Sequence, residues 1–243
     1  GKIMSFPQTI MGKWGWEQVT STGKKHKLGT IMQIADTTYR YAQTGEAVIA
    51  GALMESSAIE ANENDDLTVA TTGAVGGTTI GVTFDGAVTK DEYADGFLIS
   101  NVDASDALGW RYRIKGNAAG TSDVEVTIDH EDGFVTQWLA GTAKAGAFKS
   151  PWSGILISNT TSLGAACGVT VSDIASGSYG WVQTNGPALC LIQGTPGIGL
   201  GLMRSNGTTG ALELADGSLQ TIGAMGRTAG VNGEYHEVLL NIV

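Results

Sequence analysis

The chain is short of several residue types, and each shortage excludes something. Two cysteines, Cys167 and Cys190, are too few for a disulfide scaffold. Cys190 lies in the apolar run Ala188-Leu189-Cys190-Leu191-Ile192 and reads as a small buried hydrophobe. Cys167 lies in Gly164-Ala165-Ala166-Cys167-Gly168, which reads as loop, and neither belongs to a C-x-x-C or zinc spacing. Proline occurs only 4 times in 243 residues, and the glycines follow no three-residue period, so a collagen-like chain is excluded. No apolar run approaches the ~18 residues of a membrane helix. The opening Gly1-Lys2-Ile3-Met4-Ser5 lacks the basic-then-apolar pattern of a secretory signal, so synthesis in the cytoplasm is expected. Basic residues are scarce, 14 against 24 acidic, and the net charge of −10 argues against general nucleic-acid binding.

What is abundant is glycine, 36 residues, with 42% hydrophobic content, enough for a packed core. Short β-branched and aromatic runs recur, among them Thr37–Ala42, Thr79–Phe84, Trp110–Lys115, Val124–Ile128 and Tyr235–Val243. Between them stand Asp-Gly at 85, 95, 132 and 216 and Asn-Gly at 185, 206 and 232, dipeptides that tolerate positive φ in hairpin turns. No window of ten residues carries a convincing 3.6-residue apolar period. The pattern predicts an all-β protein, an antiparallel jelly-roll or barrel-like body with a second β module and an extended N-terminal arm. Composition places the arm at 1–27, the body at 28–56 with 151–243, and an inserted module, richer in Thr, Asp and Val, at 57–150. No strict internal repeat is visible.

The arm differs from the rest in charge. Residues 1–40 carry six basic side chains against Glu17 and Asp36, a balance of +4, whereas the other 203 residues carry eight basic and 22 acidic, a balance of −14. Trp14 and Trp16 are two apart and share a face in an extended chain. Phe6, Trp14, Trp16, Lys24, Lys25 and Lys27 are the candidate contact residues, the rings for an apolar groove and the lysines for an acidic patch on a neighbour.

The catalytic inventory is poor. His26, His130 and His236 are the only histidines, and no G-x-S-x-G elbow, Walker A loop or H-E-x-x-H helix occurs. In Asp129-His130-Glu131-Asp132-Gly133 a glycine stands where a calcium loop needs its third acidic ligand. Gly197-Ile198-Gly199-Leu200-Gly201 lacks the strand-then-helix context of a dinucleotide loop and reads as a bulge or tight bend. No catalytic residue, metal or cofactor is therefore expected. A carbohydrate-binding reading draws on Trp110, Tyr112, Trp138, Trp152, Tyr179 and Trp181, and would place an exposed ring at a position such as Trp138 or Trp152.

The segment Gly177-Ser178-Tyr179-Gly180-Trp181-Val182-Gln183-Thr184-Asn185-Gly186-Pro187-Ala188 resembles a motif of virion structural proteins of tailed bacteriophages, and the likeness extends loosely over 28–243 through Thr38–Ala42, Ala50–Leu53, Trp110–Lys115 and Val124–Ile128. The resemblance implies a capsid decoration, or cement, protein. Such a protein is non-enzymatic and β-rich, binds the major capsid protein on the outer surface of the virion, and self-associates as a homotrimer. Nucleic acid and membrane are not expected partners. The alternative is a phage adhesin or carbohydrate-binding fibre component.

Overall fold

The computed structural model describes residues 9–59, 66–100, 107–161 and 164–242. The protein is all-β: the described residues form seventeen strands, one 3-10 turn at Trp16–Gln18 and no α-helix. In chain order, β1 (Thr9–Met11), β2 (Ile31–Ile34), β3 (Thr37–Gln43) and β4 (Leu53–Glu55) come first. Next are β5 (Leu67–Thr71), β6 (Thr79–Thr83), β7 (Phe97–Ile99), β8 (Arg111–Asn117), β9 (Asp123–Ile128) and β10 (Lys144–Phe148). The chain closes with β11 (Leu156–Ile157), β12 (Ala166–Thr170), β13 (Tyr179–Leu191), β14 (Gly201–Arg204), β15 (Leu212–Leu214), β16 (Gly223–Met225) and β17 (Tyr235–Asn241). Backbone contacts divide it into two compact units, one built from residues up to Ala58 with those from Pro151 onward, the other from Ile59–Ser150.

The unit formed by the two ends of the chain is an 11-stranded sheet whose main path runs β1-β2-β3-β13-β17-β16-β14-β15, with β12, β4 and β11 branching from β13. The branch exists because β13 is 13 residues long and changes partners along its length. Its first half pairs with β3 and, at Val182 and Gln183, with β12; from Asn185 onward it pairs with β17. The expected hairpin turn at Asn185-Gly186 is therefore absent, and this dipeptide lies inside the longest strand. The register with β3 shifts just before it, between Gln183 and Asn185, and Gly186, with φ 88°, lies where a Cβ would come 2.5 Å from the Asp36 carbonyl oxygen. Cys167, expected in a loop, is a buried residue of β12. Burial pushes its thiol up to about 12, with the nearby Glu55 carboxylate acting in the same direction. Among the apolar side chains, Ala188, Cys190, Leu202, Leu212, Met225, Val238 and Leu240 pack with Leu53 and Val169 into one buried cluster. One buried ion pair ties β4 to β14: Arg204 Nη1 lies 2.9 Å from Glu55 Oε2, Arg204 Nη2 donates to the Gly164 carbonyl at 2.6 Å, and Asn159 Nδ2 donates to Glu55 Oε1 at 3.2 Å.

The inserted unit is a closed barrel in the order β10-β5-β6-β9-β8-β7. Period-two alternation is clear in β6 and β9, where Ile80, Val82, Val124, Val126 and Ile128 face inward. Closure leaves no free strand edge. Phe84, Tyr93, Tyr112, Phe134 and Trp138 fill the interior. Trp138, a position proposed for an exposed sugar-binding ring, is fully buried here, because its isolated bridge to Gly73 turns the indole in against the Tyr112 and Phe134 rings.

Both units contain the same reciprocal clasp, and it is a repeat that the sequence hides. In the first, Val48 and Ile174 exchange N–H···O bonds of 2.9 and 3.0 Å, the Gly51 amide donates to the Thr170 carbonyl, and the Gly177 amide donates to the Thr44 carbonyl. In the second, Gly73 and Trp138 exchange bonds of 3.0 Å, the Gly76 amide donates to Phe134 and the Gly141 amide to Val69. In each clasp the central residues pair, and the amide three positions later reaches the carbonyl four positions before the partner's centre. Gly51, Gly76, Gly141 and Gly177 all have positive φ, from 71° to 81°. Only a small set of backbone conditions recurs, so the side chains need not match. Where one clasp has Val48, the other has Gly73, and a Cβ there would lie 3.1 Å from the Phe134 ring and 3.2 Å from Ile80.

Candidate interaction surface

The arm residues 9–27 lie on the sheet of the first unit. Its anchoring begins at β1, which pairs parallel to the β2 edge with Thr9 opposite Ile31 and Met11 opposite Gln33. The Gly12 amide extends this ladder to the Gln33 carbonyl at 2.9 Å. A Cβ at Gly12 would sit 2.7 Å from Met32 Sδ and 2.9 Å from Ile34 Cγ1, so a side chain there would have to displace both. The chain then turns at Gly15, with φ 96°, into the 3-10 turn. The buried Glu17 carboxylate accepts the Gly15 N–H at 2.7 Å, which satisfies a donor that the turn leaves open. Farther on, Ser21 and Tyr179 exchange backbone bonds of 2.9 and 2.8 Å, and the Lys25 amide donates to the Tyr41 hydroxyl at 3.0 Å. His26 closes the attachment, its ring 5.1 Å from Tyr41 edge-on and 5.4 Å from Trp181. Burial lowers its pKa.

This anchoring packs Ile10 against the sheet and leaves four other large apolar side chains of the arm outside. Met11 is 72% exposed, Trp14 66%, Trp16 46% and Val19 60%. The reason is local: main-chain pairing and the inward Glu17 occupy the protein side of the turn, and the indoles on either side of Gly15 are left facing solvent. An exposed indole forgoes the burial of a large ring, at roughly 25 cal/mol per Å². Met11, Trp14, Trp16 and Val19 are thus the exposed apolar set of the arm. Of the six candidate contact residues, Trp14 and Trp16 fall together around Gly15, and Lys24, Lys25 and Lys27 are exposed on the segment attached at Tyr41. Phe6 lies outside the described residues. The sequence reading omitted Val19 from the surface; its place just after the turn, with no apolar neighbour in sequence, gave no signal. Lys13, also exposed, adds to the basic character of the arm.

Elsewhere the titratable side chains serve as structural ties. Glu92 bonds the Thr89 amide and hydroxyl at 2.7 and 2.9 Å and pairs with Lys149 at 2.9 Å. The His236 ring accepts the Val231 N–H through Nε2 at 3.2 Å and lies 3.3 Å from the Thr228 hydroxyl. Among the described residues no group of three His, Cys, Asp or Glu is placed to hold a metal ion. Trp152, the other proposed sugar-binding ring, is half-buried. It packs on Gly29, where a Cβ would approach its ring to 2.7 Å, and under the Arg40 guanidinium, 4.8 Å from the ring centre. Comparison with protein-family models, with curated proteins and with solved structures finds no match in any of the three.

Proposed function

We propose that this chain is a non-enzymatic structural protein of a tailed-bacteriophage virion, one that decorates the outer surface of the capsid and cements neighbouring subunits of the major capsid protein. The observation that carries the reading is the arm: Met11, Trp14, Trp16 and Val19 held exposed by a backbone anchored at β2, Tyr41 and Tyr179, beside exposed lysines on an acidic protein. A cement protein works through many modest contacts repeated by lattice symmetry, so that avidity multiplies affinity by about 10²–10⁴ without new chemistry. A pre-anchored arm suits that role because it loses little conformational freedom on contact. The lysines supply attraction to an acidic site, and the indoles supply the buried core of the contact. Self-association as a homotrimer belongs to the same reading, and the resemblance around Tyr179–Ala188 supports it.

The test is sedimentation with capsids assembled from the cognate major capsid protein. The wild-type chain co-sediments at saturable stoichiometry, and the double variant Trp14→Ser/Trp16→Ser loses binding while its thermal unfolding is unchanged. Failure of the wild-type chain to bind, or undiminished binding by the double variant, refutes the reading. Light scattering on the same samples reads the oligomeric state.

A further inference from the structure

One ring on the barrel unit packs on a buried ring and is still left partly exposed. Trp110 precedes β8 and is 38% exposed. Its indole lies nearly parallel to the Tyr112 ring, at 10° and 6.1 Å between centroids. Tyr112 is buried and fixed from three sides. Its hydroxyl accepts the Val135 N–H at 2.9 Å, Phe134 meets it edge-on at 4.9 Å, and Trp138 meets it at 5.9 Å. The Trp110 backbone is also held, its amide donating to the Ala107 carbonyl and its carbonyl accepting the Ser100 N–H. No second ring packs on Trp110 among the described residues. The result is a rigid, partly exposed aromatic platform on a core of rings.

The His130 ring, which belongs to the exposed turn 129–132, meets Tyr112 edge-on at 5.6 Å. Strand alternation turns Arg111 to the opposite side, where its guanidinium lies 4.6 Å over the Phe97 ring. A flat π-face with an imidazole beside it, on a chain of net charge −10, discriminates between ring-shaped ligands. A nucleobase stacks equally well, but its phosphates would be repelled by a chain of net charge −10. A pyranose presents an apolar C–H face to the indole and neutral hydroxyls to the imidazole.

We propose that Trp110, backed by Tyr112 with His130 beside that ring, is a stacking site for a pyranose ring of a neutral oligosaccharide. The site is independent of the arm and stands whether or not the capsid reading does. Pre-organisation favours it, since neither ring needs to be ordered on binding.

The experiment titrates the full chain with cellohexaose, maltohexaose and chitohexaose by calorimetry, with an oligothymidine as control. The proposal expects saturable binding of at least one sugar and none of the oligothymidine. Trp110→Ala is expected to weaken that binding at least about tenfold, with unchanged thermal unfolding. A second readout uses the wild-type protein alone, so that a variant that fails to fold decides nothing. Saturating sugar is expected to protect Trp110 from oxidation by N-bromosuccinimide, read by peptide mass spectrometry, and to leave Trp14 and Trp16 unprotected. No binding of any of the three sugars, preferential binding of the oligothymidine, equal oxidation of Trp110 with and without sugar, or undiminished affinity in a folded Trp110→Ala protein overturns the proposal.

Discussion

The reciprocal clasp predicts that two substitutions at equivalent positions differ in cost for one identifiable reason. Gly51 and Gly177 occupy matching places in the clasp of the first unit, with φ 81° and 71° and each donating one backbone bond across it. An alanine at either position carries the left-handed penalty of about 1–2 kcal/mol, reduced by the ~0.4–1 kcal/mol gained from restricting the unfolded chain. At Gly177 nothing lies within 4 Å of the new Cβ, so the net cost is about 0.5–1 kcal/mol. At Gly51 the Cβ would lie 2.5 and 2.7 Å from two carbons of the Tyr235 ring, and the overlap adds about 1–3 kcal/mol. For a unit of this size 1 kcal/mol moves the melting temperature by roughly 2–4 °C. Differential scanning calorimetry of the full chain should therefore show Gly177→Ala lowering the transition of the first unit by about 1–4 °C and Gly51→Ala by roughly 3–15 °C. Adding Tyr235→Ala should remove most of the excess at Gly51 and leave Gly177→Ala unaffected. Equal losses at the two glycines, or no recovery with Tyr235→Ala, would refute the reasoning.

Three further expectations follow from other parts of the molecule. Glu55→Gln alone leaves the buried Arg204 guanidinium without its counter-charge and should cost about 3–5 kcal/mol in urea unfolding, whereas Glu55→Met with Arg204→Met should recover most of that loss. In the barrel, burial alone would raise the Glu92 pKa, but the Thr89 amide and hydroxyl and Lys149 outweigh it and hold the carboxyl below its ordinary value. Its contribution is therefore present above the ordinary glutamate pKa of about 4.3 and is lost as pH falls through the lower folded value, so Glu92→Gln should flatten that part of an acid-unfolding profile. Ala35, at the two-residue β2–β3 connection, has φ 50°, and Ala35→Gly should raise stability by about 0.5 kcal/mol, read as a higher urea midpoint; a lower midpoint would count against the strain argument.

How much of this was legible in the sequence depends on the range of the interaction. Alternation in Thr79–Thr83 and Asp123–Ile128, the glycine and Asx punctuation and the lack of any helical period were enough for an all-β, barrel-containing fold, because each is set by neighbours a few residues apart. Of the seven Asp-Gly and Asn-Gly dipeptides, only Asn206-Gly207 and Asn232-Gly233 stand between consecutive strands that pair, both in connections longer than two residues, and Asn185-Gly186 lies inside β13, since a dipeptide that tolerates positive φ suits loops and strand irregularities as well as a tight hairpin. The tight β2–β3 connection meanwhile uses Ala35-Asp36, which carries no such signature. Of the arm, its basic and aromatic character was visible, but not its anchoring, which depends on Tyr41 and Tyr179, the latter more than 150 residues away.

Local chemistry in the sequence thus determined the strands, the uneven charge and the unusual composition of residues 1–27. The tertiary structure alone decided which rings are core and which are surface: Trp138 is enclosed by the barrel, whereas Trp14, Trp16 and Trp110 are left outside. It alone decided that Val48 meets Ile174 and Gly73 meets Trp138 in one backbone pattern. The physical reason is that hydrogen bonds between distant main-chain groups, and the space left for a Cβ, depend on where two remote segments cross, and neither segment records the other in its own residues.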